Sequence, residues 1–134
     1  METRQYCRLD RPLVLSLRRQ GSQAPFCMAQ SQDLSQGGLC LVCEQCLPPG
    51  AHLELVVQFP FRLTSRVRLS GRVTSCTEVG AGHRRLFRLG VAFCQLPSDL
   101  FLELSLFLDR LAAQRAPCRP TPPSRTLRNA GNAG

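Results

Sequence analysis

Leu53, Leu55, Val57 and Phe59 alternate with Glu54 and Gln58, and a few residues later Val67, Leu69 and Val73 alternate with Arg66, Arg68 and Arg72. A two-residue repeat fits a β-strand with one face buried and the other wet, because successive side chains of a strand point to opposite sides. Phe87, Leu89, Val91 and Phe93 supply another inward face. Shorter strand signals cover Leu13 to Leu17, Phe26 to about Gln32, and Leu39 to about Glu44, with the Gly37-Gly38 pair and the Leu47-Pro48-Pro49-Gly50 run as turn punctuation.

One helix is expected, from about Ser98 to Gln114, where Leu100, Leu104, Phe107, Leu108 and Leu111 recur at helical spacing. Ser98 can cap it, Asp99 suits the positive end of its dipole, and Pro117 lies beyond its end. Six antiparallel strands and one amphipathic C-terminal helix predict a mainly β protein, a closed or nearly closed six-stranded barrel. Closure removes the strand edges that would otherwise pair with other chains.

The chain has 134 residues, which suits one domain. Residues 1–11, without sustained periodicity and ending before Pro12, are expected to form a mobile arginine-bearing arm. Residues 12–114 are expected to form the barrel and helix, and residues 115–134, rich in Pro and Arg, a disordered tail. No apolar run approaches the roughly 18 residues that span a bilayer, and Leu13 to Leu17, flanked by Arg11 and Arg18, is too short for a signal-peptide core. The expectation is a cytoplasmic protein with no membrane insertion.

Eight cysteines in a chain with no export signal are expected to be reduced thiols. Cys40-x-x-Cys43-x-x-Cys46 has the look of a metal motif. Residues 40 and 43 of one strand face opposite ways, however, and no second Cys/His pair follows at ligand spacing, so no metal is assigned. His52 and His83 fall in expected loops away from any nucleophile, and the chain is not read as an enzyme.

Net charge is +8, carried by 17 arginines and no lysine. Residues 62–88 hold seven arginines against Glu78, which leaves an acidic or nucleic-acid partner open. Tyr6 is the one tyrosine, tryptophan is absent, and most phenylalanines fall on inward positions. A platform for stacking bases is therefore hard to assemble, which argues against nucleic acid.

Two short motifs remain. Arg4-x-x-x-Arg8 has a spacing that occurs five times in the chain, where composition alone gives roughly two. Asp33-x-Ser35-x-x-Gly38 is more specific, with a chance expectation on the order of a few hundredths. Read by itself, the second motif also describes a turn in which Asp or Ser bonds nearby backbone N–H groups.

In order and spacing the chain resembles the PilZ domain family, bacterial receptors for the second messenger cyclic di-GMP. The likeness runs from about Arg4 to Leu111. It rests on Arg4-Gln5-Tyr6-Cys7-Arg8, Asp33-Leu34-Ser35-Gln36-Gly37-Gly38, Leu47-Pro48-Pro49-Gly50, Gly71-Arg72-Val73, Gly90-Val91-Ala92-Phe93 and the closing helix. The resemblance implies a ligand, cyclic di-GMP, and no cofactor. It implies binding by Arg4, Arg8, Asp33, Ser35 and Gly38, with Arg11 and Gly37 as auxiliary positions.

The chemistry agrees. An arginine fork matches a phosphate or the O6/N7 edge of guanine, and it can stack on a purine face. An ionised Asp33 suits the N1–H and N2–H donors of the opposite guanine edge, with the Ser35 hydroxyl close by. Gly38 would let backbone approach the ligand without a Cβ, or take a positive φ. The implied function is a receptor or adaptor that relays second-messenger level, through an unidentified effector protein, to motility, attachment or exopolysaccharide machinery. The alternative is a barrel of the same family that binds motility proteins without the nucleotide.

Overall fold

The computed structural model describes residues 6–62, 65–80 and 82–115. Arg4 and the expected tail beyond Arg115 lie outside the described residues. Six strands, β1 (Cys7–Arg19), β2 (Cys27–Leu34), β3 (Gly38–Cys43), β4 (His52–Val57), β5 (Val67–Glu78) and β6 (Phe87–Cys94), precede one helix, α1 (Ser98–Arg115). All neighbours are antiparallel and the sheet closes in the order β1-β2-β3-β6-β5-β4. The closed barrel expected from the alternation is the one observed.

The inward sets fill the lumen. Leu15 and Leu17 of β1, Leu39 and Leu41 of β3, Leu53, Leu55 and Val57 of β4, and Leu89 and Val91 of β6 are all essentially inaccessible. Dense apolar contact of this kind is the main source of stability in a barrel. Gly50 takes φ 94°, and the Ala51 N–H donates to the Pro48 carbonyl at 3.1 Å. That is a type II turn, which favours Pro at its second position and glycine at its third.

The strand boundaries correct one expectation. Residues 7–11 are not a free arm but the first stretch of β1: Cys7 pairs with Leu34 and Arg8 with Asp33, and Leu9 is buried. The cause is an irregularity in register between Arg8 and Leu13, where Asp10, Arg11 and Pro12 all lie exposed. A bulge there accommodates the N–H that proline lacks and breaks the alternation, so the strand before it has no visible period.

Helix α1 lies at the barrel end that holds the β2–β3 turn and the β4–β5 connection. Leu100, Leu104 and Leu108 are its buried residues. Phe61 stacks on Phe59 with ring centres 5.1 Å apart, and Phe107 lies tilted against Phe61 at 5.4 Å. Arg62 donates to Glu103 at 2.6 Å and to Asp99 at 3.4 Å. The Pro97 carbonyl accepts the first helical N–H, from Phe101, so Ser98 is the first helical residue and not the cap.

Candidate functional site

The outer wall of the barrel across β1, β2, β3 and β6 gathers the charged groups of interest. Antiparallel pairing places Arg8 and Asp33 directly opposite one another on β1 and β2. A shallow pocket of about 160 Å³ is lined by Arg8, Gln30, Gln32, Asp33, Cys40, Val42 and Arg88. It continues past Gln30 and Val42 into a wider groove of about 510 Å³ bordered by Val14, Met28, Glu44 and Arg84. Val14 and Met28 keep 49% and 64% of their surface exposed, which gives that groove an apolar floor beside its charged rim.

Within the pocket, Arg8 donates one N–H to the Gln32 side chain at 3.2 Å, and among the described residues the rest of its fork has no other partner. Asp33 is half-buried, and among the described residues no hydrogen bond or ion pair engages its carboxylate. Arg88 is exposed and projects from β6 onto the same wall. A carboxylate acceptor thus stands among guanidinium donors, a set suited to a ligand that carries both N–H edges and anionic oxygens.

Ser35, Gly37 and Gly38 are held differently from the expectation. The Ser35 side chain is buried; its hydroxyl accepts N–H groups from Gly37 at 3.3 Å and Gly38 at 3.1 Å, while the Ser35 N–H donates to the Gly38 carbonyl at 2.9 Å. The hydroxyl is therefore engaged in the β2–β3 turn. Gly38 does not have positive φ; a Cβ there would strike the carbonyl oxygen of Val91 on β6. Its glycine answers to a close approach between strands. Gly37 is exposed, and its carbonyl accepts the Phe93 N–H at 2.8 Å. Arg11 is exposed in the β1 bulge and does not line the pocket.

Two residues escaped sequence reasoning. Ser31 is buried, with its hydroxyl 2.5 Å from the Cys40 carbonyl and 3.0 Å from the Asp33 carbonyl. It sits where the β2–β3 register shifts between Gln30 and Asp33, and so helps set the direction in which Asp33 leaves the strand. Arg88 was visible only as one wet position between Phe87 and Leu89. Nothing local announces that β6 lies beside β3.

The turn is also joined to the helix. Gln36 donates to the Ser105 hydroxyl at 3.0 Å, and Ser105 donates to the Phe101 carbonyl at 2.8 Å. Replacing Ser35 by alanine strips the acceptor from two turn N–H groups in a buried setting. Unfolding in urea is expected to show a loss of about 1–3 kcal/mol for Ser35→Ala. An unchanged midpoint would mean that solvent satisfies those N–H groups.

Among the described residues no cluster of His, Cys, Asp or Glu is arranged to hold a metal ion, and no helix among them is long and apolar enough to cross a membrane.

A closed antiparallel barrel with a charged outer wall and a helix at one end places the chain in the class of small β-barrel domains. The PilZ domain sequence model matches residues 2–110, and the chain belongs to the PilZ domain family. No curated protein matches it in sequence. Among solved structures it is similar to the inhibitor of motility MotI/DgrA of Bacillus subtilis, at 17% identity and TM-score 0.64, covering 87% of this chain and 54% of that one. It is similar to MrkH of K. pneumonia in its apo state, at 13% identity and TM-score 0.71, covering 89% and 53%. The PilZ domain of YcgR from Escherichia coli, solved with c-di-GMP, matches at 17% identity and TM-score 0.59, covering 87% and 98%. The chain spans about half the length of MotI and MrkH.

Proposed function

We propose that the protein is a cyclic di-GMP receptor that acts by binding and relays the second-messenger level to a protein effector in motility, attachment or exopolysaccharide output. The observation that carries this reading is the pairing of Arg8 with Asp33 across β1 and β2, with the Asp33 carboxylate uncommitted among the described residues. Cyclic di-GMP offers two phosphates and two guanines. Arg8 supplies a fork for a phosphate or the O6/N7 edge, and Asp33 accepts from N1–H and N2–H. In this reading Arg4, four residues upstream of Arg8, takes the companion role. Ser35, Gly37 and Gly38 contribute by holding the turn that follows Asp33.

Arg88 adds a second cation to the pocket beside Arg8. Phosphate is the chemistry it best serves, since it is exposed and opposite no acid. Arg88→Ala is expected to weaken binding by about tenfold, the worth of one charge-assisted bond, and equal affinity in both proteins would remove Arg88 from the site.

The relay has a physical route. Gln36 in the turn holds Ser105 of α1, and Phe101, Leu102 and Leu106 on that helix keep 45%, 59% and 50% of their surface exposed. A shift of the turn would move an apolar surface of the kind that binds proteins.

The deciding experiment is calorimetric titration with cyclic di-GMP at near-physiological salt, with GTP and cyclic di-AMP as controls. Saturable, guanine-specific heat is expected. Its absence would overturn the receptor reading and leave a ligand-free adaptor.

A further inference from the structure

The cysteines that looked like a motif in the sequence end up with a different neighbour. Cys46, in the connection after β3, and Cys76, on β5, lie with their sulfurs 3.8 Å apart and share a hydrogen bond, although 30 positions separate them in the chain. Cys46 is exposed and Cys76 half-buried. Among the described residues the remaining thiols are less available. Cys43 is buried and donates to the Gln45 carbonyl at 3.4 Å, Cys27 donates to the Met28 carbonyl at 3.6 Å, and Cys7, Cys40 and Cys94 are half-buried.

We propose that Cys46 and Cys76 form a reversible intramolecular disulfide, with a peroxide as the oxidant and a small dithiol or thiol as the reductant.

The geometry meets the needs of the reaction. Cys46, open to solvent, attacks the peroxide as thiolate; the O–O bond breaks, Cys46 becomes a sulfenic acid and one water leaves. The Cys76 sulfur then attacks the Cys46 sulfur, the S–O bond breaks, and the hydroxide departs as a second water with the Cys76 proton. Two thiols are oxidised and one peroxide is reduced, which balances the two electrons. Exchange with an external dithiol restores both thiols. A bond requires the sulfurs to close from 3.8 Å to about 2.05 Å, by side-chain rotation at the exposed Cys46.

The resulting link is specific in the fold. β6 runs between β3 and β5, with Phe87 paired to Cys43 on one side and Leu89 to Cys76 on the other. A Cys46–Cys76 bond would therefore strap the start of β6 from both flanks, at the barrel end away from α1. Neither Cys46 nor Cys76 lines the ligand pocket or the groove beside it, and the reaction needs no nucleotide.

The local charges set its speed. The hydrogen bond with Cys76, followed by burial and electrostatic repulsion from its neighbours, pushes the Cys46 thiol up, while Arg85 opposes them. Burial likewise pushes the Cys43 thiol up. Crosslinking is accordingly faster at alkaline pH, because the thiolate is the nucleophile.

The test treats the full-length protein with hydrogen peroxide and reads intact mass, followed by peptide mapping without reduction. The expected result is the loss of two hydrogen atoms, a Cys46–Cys76 linked peptide, full reversal by dithiothreitol, and a thermal midpoint raised by on the order of 10 °C in the oxidised form. Cys46→Ser, a change at an exposed position, should abolish the mass loss and leave the reduced midpoint unchanged. Intermolecular disulfide through Cys46, stable overoxidation of Cys46 without a link, or the same yield of intramolecular disulfide in Cys46→Ser would each overturn the proposal.

Discussion

Arg8→Ala is expected to lose cyclic di-GMP binding by about a hundredfold or more while the barrel unfolds at the same denaturant concentration as the parent. The affinity loss follows from removing a fork that makes charge-assisted bonds, each worth about 1.5–3 kcal/mol, where 1.4 kcal/mol is a factor of ten. The unchanged stability follows from position. Arg8 is exposed on β1, and among the described residues its side chain gives one hydrogen bond, to Gln32. Its backbone pairing with Asp33 survives the substitution. Arg8→Lys separates charge from geometry: lysine keeps the cation but not the planar fork, so an intermediate affinity is expected. Asp33→Ala should act from the other side, removing the acceptor for the guanine N–H edge with little effect on folding. Titration calorimetry and urea unfolding on the same preparations check all three, and parent-like binding by Arg8→Ala would remove Arg8 from the site.

The legibility of this chain divides along the distance between interacting residues. β4, β5 and β6 were readable because each alternation is complete within a strand, as in Leu53, Leu55 and Val57. Helix α1 was readable for the same reason, its buried residues Leu100, Leu104 and Leu108 recurring every four positions. β1 was only half readable. The bulge at Asp10, Arg11 and Pro12 throws the period out of phase, so Cys7 to Leu9 read as an arm although Leu9 is buried. The second motif marked the correct hairpin, yet the reason for its serine and glycine lies elsewhere. Ser35 is committed to backbone N–H groups three residues away at most, which sequence allowed as an alternative. Gly38 is constrained by Val91, a residue on a strand that closes the barrel from 53 positions downstream, and no local pattern carries that pairing. Arg88 reaches the pocket by the same β3–β6 pairing.

That pairing makes Gly38→Ala the most damaging single methyl that can be added to the hairpin. Gly38 sits opposite Ala92 in the β3–β6 ladder, and a Cβ there would drive into the Val91 backbone carbonyl. A carbonyl within a ladder cannot rotate aside as a side chain can, so either the two strands part or the turn must shift. The turn is tied on both sides, by the Ser35 N–H to the Gly38 carbonyl at 2.9 Å and by the Phe93 N–H to the Gly37 carbonyl at 2.8 Å. Overpacking typically costs about 1–3 kcal/mol, and with lost ladder bonds added the expected loss is at least about 3 kcal/mol. For a barrel of this size the thermal midpoint should fall by about 15 °C. Gly71→Ala is the informative control. Its Cβ would meet the Val91 Cγ1 methyl at 2.7 Å and Leu55 Cδ1 at 3.1 Å, side-chain atoms that can give way. A smaller drop for Gly71→Ala than for Gly38→Ala is expected by differential scanning calorimetry. Equal drops would mean that the β3–β6 backbone yields as readily as a methyl, and the requirement for glycine at position 38 would then have to come from the ligand.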